Sequence, residues 1–533
     1  MPSLCSACGT RVTPTCDDFE RSFAPTDPQT LARFERLLTT NEPPRTTDLA
    51  FLRPVVQKTS ARLANLDEDI SRLQGRLQQL EDERASLAQY HTRITGVLSP
   101  VRRMPPEILG EIFSWTLPTI REVLGIENCP WVLTHVCCGW RAVALSIPSL
   151  WSLITIDFSA EQQYPVEIIR THLERARSLK IHFFGSEEHD SDAQISLFVL
   201  LGEHSVRWEE LSAQLTADLL PCAVNLDLPS LRRAWVQWHS SHSQPPDLES
   251  IDFFRTANSL VDIGVFSNFR FIPTHLPASH QLTRYDFDAP WETHCELLKL
   301  LPSLQEAHIL RSFDVDEGWP EPREPISLLH LRRLYVNDPV CLDYLRAPVL
   351  EGIAMETIDT DPTEASEFLE RFLDRSASSP HYLCIQGLLD VQSMAVILQK
   401  HPSFTEIAVT DEVESDEDAS RKILSNFLTL FSISDSTPST MVFPHITRIS
   451  YGCDSAESTV YPLFLDMLDS RRNLGNRTFN AAEVVFLNSC PTTDPQSMAR
   501  IELLRGDGFE ISLLSGDAAS DRNDEWLFRT TWA

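Results

Sequence analysis

Three cysteines near the amino terminus, Cys5, Cys8 and Cys16, are the first residues whose type and spacing could do chemistry. A Cys-x-x-Cys pair supplies half of a tetrahedral zinc site, which needs four ligands. No second such pair and no nearby histidine completes it, so Asp17 or a second chain would have to. A terminal segment that holds no metal is the plainer reading. His239 and His242 sit in a polar run around Ser240 to Ser243, with no carboxylate and nucleophile set beside them. The run Asp411 to Asp418, Asp-Glu-Val-Glu-Ser-Asp-Glu-Asp, repels itself and is expected as a solvated loop. A patch for a basic substrate is the sharper alternative there, and Ser415 matches a phosphorylation pattern. No G-x-S-x-G turn and no metalloprotease helix occurs, and with 17 glycines the positions for a phosphate-cradling loop are scarce. The expectation is a chain that is not itself an enzyme and uses no cofactor and no metal.

The totals bound the remaining classes. Hydrophobic and charged fractions of 42% and 23% are ordinary for a folded soluble protein. No run approaches the roughly 20 apolar residues of a membrane span. Met1 to Cys16 has neither apolar core nor basic flank and does not read as a secretory leader. The twelve cysteines are therefore expected as reduced thiols in cytoplasm or nucleus, with Cys137 and Cys384 in apolar surroundings. Of the net charge of -31, nearly all falls after residue 156. That excludes a nucleic-acid partner, which demands a basic face.

Stepping along the chain, Asp27 and Pro28 fit the cap and first turn of a short helix with Leu31, Phe34, Leu37 and Leu38 on one face and Asn41 at its end. A heptad stripe follows: Val56, Thr59, Leu63, Leu66, Ile70, Leu73, Leu77, Leu80, Arg84, Leu87, His91, Ile94 and Leu98. A parallel pair in register would set Arg62 against Asp67 and Arg76 against Glu81, so the charges permit a homodimer. The other reading is an intramolecular hairpin in which the Leu31–Leu38 helix and its neighbours cover the stripe. Ser99-Pro100 stops this helix.

Residues 101–156 read as two short helices. Pro105 and Pro106 open the first, with Ile108, Leu109, Ile112 and Phe113 on its apolar face. The second follows Pro130 and carries Val132, Leu133, Val136, Trp140 and Val143. Such a pair exposes more apolar surface than it can bury alone, which implies a partner. Met104-Pro-Pro-Glu-Ile-Leu109, Val136-Cys-Cys-Gly-Trp-Arg141 and Pro148-Ser-Leu-Trp151 resemble, in order and spacing, the L-P-x-E-I-L, V-C-x-x-W-R and P-x-L-W blocks of the F-box. The wider arrangement, Asn41-Glu-Pro-Pro44, heptad helix and Ser99-Pro100 before the motif, resembles a numerous class of fungal F-box proteins. The resemblance implies a Skp-type adaptor, and through it a cullin, as partners, and a downstream repeat domain that holds an unidentified protein substrate. It places Pro105, Ile108, Leu109, Ile112, Val136 and Trp140 in the adaptor-binding or core set. Met104 replaces the usual leucine, and Cys138 and Gly139 stand where the family commonly has a basic residue.

Beyond residue 156 an apolar template recurs, spaced three and then two residues apart, as in Leu231/Ala234/Val236, Leu248/Ile251/Phe253, Leu282/Tyr285/Phe287, Leu304/Ala307/Ile309 and Leu331/Leu334/Val336. This is the L-x-x-L-x-L spacing of a leucine-rich repeat, with ragged intervals and no regular asparagine or cysteine column. An ordinary α/β domain is the competing reading. The expected fold class is α+β multidomain: a Cys/Pro segment and short helix over 1–50, a heptad coiled-coil helix over 51–99, a helical F-box over 100–156, an irregular leucine-rich α/β solenoid over 157–515, and a flexible tail over 516–533.

Overall fold

The computed structural model describes residues 27–117, 124, 128–159, 164–238, 253–267, 276, 279–312, 318–321, 324–358, 360–411, 417–433, 443–454, 460–472, 478–488 and 495–529. Cys5, Cys8, Cys16, His239, His242 and residues 412–416 of the acidic run lie outside them. The chain divides into two units, 1–105 and 106–533, and has a mixed α+β multidomain fold with many helices and one large parallel sheet.

In the smaller unit, α1 (Pro28–Thr39) starts where the Asp27 carboxylate accepts from the Thr30 amide at 3.0 Å. It ends at Thr39, two residues before the expected Asn41. Helix α2 runs Thr46–Leu98 and stops at Ser99, as the Ser-Pro pair requires. Arg33 of α1 reaches Glu42 at 2.5 Å and Asp48 at 3.2 Å, and Phe34 meets Phe51 edge-on at 6.4 Å. These contacts touch only the start of α2. Leu63, Ile70, Leu73, Leu77 and Leu87 remain exposed, so α1 does not cover the stripe.

The larger unit is built on fourteen strands in strict chain order, every neighbour parallel. They are β1 (Leu153–Asp157), β2 (Leu179–Phe184), β3 (Trp208–Leu215), β4 (Arg233–Trp238), β5 (Asp262–Ser267), β6 (Arg284–Asp288) and β7 (Glu306–Leu310). The order continues with β8 (Arg333–Val336), β9 (Gly352–Glu356), β10 (Tyr382–Gln386), β11 (Glu406–Thr410), β12 (Arg448–Cys453), β13 (Ala481–Phe486) and β14 (Glu510–Ser515). Successive parallel strands are as a rule joined by right-handed crossovers, which put the return segments on one face, and the described return helices from Pro362–Ser376 to Pro495–Gly506 pack each against the next. That face is the core: Ile154, Ile181, Leu211, Ile263, Leu334, Ile353, Leu383, Ile407 and Ile449 form one buried row across the sheet.

Return helices pack on this row. Phe198 of Ser191–Gly202 meets Phe183 edge-on at 5.1 Å, and Phe427 of Glu417–Phe431 lies 5.0 Å from Tyr451. Helix Pro362–Ser376 shows how each is specified. Asp361 caps it, Pro362 takes the first turn, Leu369, Phe372 and Leu373 are buried, and Ala377 at φ 49° ends it. Truncating Phe372 to alanine would cost about 3–5 kcal/mol.

The open face carries a second in-register row: Lys180, Glu210, Arg233, Asp262, Arg284, Glu306 and Arg333 on β2 to β8. The charges alternate. Glu210 pairs with Lys180 at 3.6 Å and with Arg233, and Glu306 pairs with Arg284 at 3.2 Å and Arg333 at 3.1 Å. Burial pushes the Asp262 carboxyl up to about 6, against the pull of Arg284 and Arg233. The alternation lapses at Gly352 and Tyr382 and resumes with Glu406 and Arg448.

Four sequence expectations are corrected. Of the Leu248/Ile251/Phe253 copy, Leu248 and Ile251 lie outside the described residues, while Phe253 lies in a turn and not in a strand. The single helix expected after Pro130 is two, broken at Cys137, which is exposed and not in apolar surroundings. Asp411 is buried, not solvated: it accepts from the Asp454 amide at 2.6 Å, and burial pushes its carboxyl up to about 6. Residues 516–529 are a folded element and not a tail, because helix Asp517–Trp526 forms and Trp526 and Leu527 are buried.

The charge row gives a measurable consequence. Burial pushes the Glu210 carboxyl up, but His182, Lys180 and Arg233 outweigh that and hold it at about 2. Its stabilisation is complete above about pH 4.5 and is lost as pH falls toward 2. Glu210→Gln is expected to lower unfolding free energy at pH 7 by about 1–2 kcal/mol and to flatten the acid limb over that window, read by urea titration.

Candidate functional site

Two surfaces of the larger unit can do recognition. The first is helical. Its helices are α3 (Pro106–Trp115), α4 (Trp131–Val136) and α5 (Cys138–Ser146). On α3, Leu109 and Phe113 turn inward, and Phe113 packs on Trp140 at 4.9 Å. Ile108, Ile112 and Trp115, at i, i+4 and i+7, form an outward ridge, with Trp115 87% exposed. Val132 and Val136 of α4 are also exposed.

The six residues singled out by sequence thus divide. Pro105, Ile108, Ile112 and Val136 are exposed, Leu109 is core, and Trp140 is half-buried. Trp115 was missed, although its heptad distance from Ile108 is readable. At the break, Cys137 Sγ accepts from the Trp140 amide at 3.4 Å, and Arg141 Nε donates to the Thr134 carbonyl at 2.7 Å. Arg141 therefore clamps α4 to α5.

A buried knot fixes these helices to the sheet. Trp151 is fully buried and donates to the Ala144 carbonyl at 2.9 Å. Its ring meets Trp131 edge-on at 5.2 Å and lies 4.2 Å under the Arg175 guanidinium. His172, on the helix Val166–Arg175, stands between the two indoles. Its Nδ1 is 3.2 Å from the Trp151 carbonyl, and its Nε2 is 3.3 Å from Trp131 Nε1. A carbonyl only accepts and an indole only donates, so the ring is neutral with its proton on Nδ1. Trp131, His172 and Arg175 carry no sequence signal, since they meet only through the fold.

The second surface is the middle of the open strand face. The segment after β14 crosses it: Tyr382 Oη donates to the Trp526 carbonyl, Arg284 to that of Phe528, and His308 Nε2 lies 3.0 Å from that of Leu527. A cavity of about 510 Å³ opens beside the crossing, with Arg333, Arg448, Arg522, Arg529, Glu351 and Glu406 in its wall.

No family model matches the chain, and no curated protein does. A crystal structure of a Bacteroides fragilis protein aligns over 58% of this chain and 74% of that one, at 11% identity and a TM-score of 0.28. That likeness assigns neither fold nor role. Among the described residues, no group of three or more histidines, cysteines or carboxylates is placed to hold a metal ion. No described helix is long and apolar enough to cross a membrane.

The knot makes a pH prediction. Burial pulls His172 down to about 4, against an ordinary value of 6.5. Between those values the unfolded chain takes up a proton that the folded chain refuses, so stability falls as pH drops from about 6.5 to 4. In His172→Gln that slope should be shallower than in the wild type by up to about 1.4 kcal/mol per pH unit, measured as unfolding free energy at pH 7, 6 and 5.

Proposed function

We propose that this chain is a substrate-recognition adaptor of a Skp-cullin-F-box ubiquitin ligase. In this reading α3 to α5 are an F-box that docks the Skp adaptor, and the strand unit is an irregular leucine-rich solenoid that holds a protein substrate. The long N-terminal helix is a coiled-coil segment. The chain performs no chemistry itself and acts in cytoplasm or nucleus by bringing substrate and ligase together. The observation that carries the reading is the ridge Ile108, Ile112 and Trp115, left in solvent like Val132 and Val136, on helices that bear the first two F-box-like blocks, with the third directly after α5. A monomer gains nothing from such a ridge, and an apolar partner groove would bury it.

A second reading is a scaffold without a ligase link. It is favoured by the exposed Cys138 and Gly139, which leave this surface without the basic residue common in the family.

A pull-down of the full chain against a Skp adaptor separates them. Wild type is expected to bind, and Ile108→Asp/Ile112→Asp to lose at least about tenfold with an unchanged circular dichroism spectrum. Leu109→Asp should instead unfold the helices, because that side chain is core. Capture of neither wild type nor variant would leave the scaffold.

For α2 we propose a parallel homodimer. The Arg62–Asp67 and Arg76–Glu81 pairings recur on both sides of the seam. The antiparallel alignment that pairs Leu73 with Leu77 of the second copy sets Asp69 opposite Glu83 and Arg76 opposite itself. Light scattering is expected to give a dimer for the full chain and a monomer for Leu73→Asp/Leu77→Asp. A wild-type monomer at about 50 μM would end the idea, being far above the dissociation constant of a coiled coil this long.

A further inference from the structure

The geometry points to a peptide-binding groove at the centre of the open strand face, made for a short aromatic–aliphatic–aromatic segment and filled in cis by Trp526, Leu527 and Phe528. Three consecutive carbonyls of this segment are each met by a side chain from a different strand. Tyr382 of β10 donates to Trp526 at 3.2 Å, His308 of β7 faces Leu527 at 3.0 Å, and Arg284 of β6 donates to Phe528 at 3.2 Å. The three carbonyls stand at a helix C-terminus, Trp526 closing Asp517–Trp526 and Phe528 at φ 56°, so the strand side chains take up acceptors that the helix itself leaves open while pockets read the side chains.

The pockets are present, and one coincides with the lapse in the charge row. At Gly352, where the charge row is interrupted, a Cβ would stand 2.9 Å from Phe528 Cζ. At Gly452 it would stand 3.1 Å from Trp526 Cζ3. Between them Ala354, Cys384 and Ala408 form a floor of small side chains under Trp526 and Leu527. Arg333, with no rung beside it at Gly352, lies 5.9 Å from the Phe528 ring centre. The 510 Å³ space left beside the segment is walled by Arg284, Arg333 and Arg448 against Glu351 and Glu406 from the strand side, and by Arg522, Glu525 and Arg529 of the segment itself. The acidic residues of the segment pair inside it, Glu525 with Arg522 and Asp524 with Arg529 at 3.7 Å, which leaves Trp526-Leu527-Phe528 as the part that the strand face reads.

A ligand of the same chemistry, an aromatic–aliphatic–aromatic triplet at a helix end, would therefore compete with the chain's own segment. Taken with the adaptor reading, on which this step alone rests, the triplet is the substrate's docking motif, and the C-terminal segment holds the site until displaced.

The test leaves the Skp adaptor out, so its outcome is independent of that reading. A specific protease site is placed between Ser515 and Gly516 of the full chain, and a fluorescein-labelled peptide of residues 517–529 is added before and after cutting. The expected result is saturable anisotropy only after cutting, competed by unlabelled peptide and abolished by Trp526→Ala/Phe528→Ala in the peptide. Tyr382→Phe in the cut chain, which removes one main-chain donor, should weaken binding roughly 2- to 10-fold. Cut protein that stays folded yet takes up no peptide at 1 mM, roughly the weak limit of useful recognition, would overturn the groove. So would cut protein that loses cooperative unfolding, since the segment would then be a structural cap. Equal binding to the uncut chain would overturn the occupancy in cis.

Discussion

The in-register parallel pairing of β1 to β14 is the constraint on which the larger unit depends. Parallel neighbours cannot be joined by a hairpin, so the chain must cross back after each strand, and the handedness of that crossing puts every return on the same side. Helices are about 10 Å across, while strands lie about 4.8 Å apart. Crowding the wide elements on one face bends the sheet with its strands inside. The bend is what lets the C-terminal segment reach so far. Seven strand spacings, about 34 Å along the sheet, separate β14 from β7. Yet the ten residues of Asp517–Trp526 advance only about 15 Å before Leu527 meets His308.

Much of this was legible in the sequence, and for a physical reason. The three-then-two apolar template is a strand with its inward positions marked, and it found β2 to β9, β11 and β12. It passed over β1 and β13, although Trp151/Ile154/Ile156 and Phe479/Ala482/Val484 have the same spacing with an aromatic in the lead. Strands β10 and β14 begin from Pro380 and Gly508, which supply no apolar lead at all. The charge row was present as the residue just before the second apolar position, Arg233, Asp262, Arg284, Glu306 and Arg333. It has meaning only once strands about 20 to 30 residues apart are known to be neighbours.

The candidate sites were legible in part. Sequence named Ile108, Leu109 and Ile112 together, because adjacent apolar residues on a short helix do not declare which of them faces out. Only the packing of Phe113 on Trp140 settles the rotation. The knot of Trp131, Trp151, His172 and Arg175 was invisible for the same reason, as its members come from three separate elements. It matters because it turns two short helices into a fixed extension of the sheet. Whatever docks on the ridge is then held at a set orientation to the strand face, which an adaptor acting by proximity requires.

The alternating row also imposes a rule of parity. From Lys180 to Arg333 every inner rung has neighbours of the opposite sign, so like charges always stand two strands apart. Excising a single strand with its return would bring arginine against arginine, or carboxylate against carboxylate, across one strand spacing. Excising two in succession would restore the sequence of signs. Glu406 and Arg448 keep the same phase beyond the gap at Gly352 and Tyr382. Within β3 to β7, therefore, strands can be lost without setting like charges side by side only in even numbers.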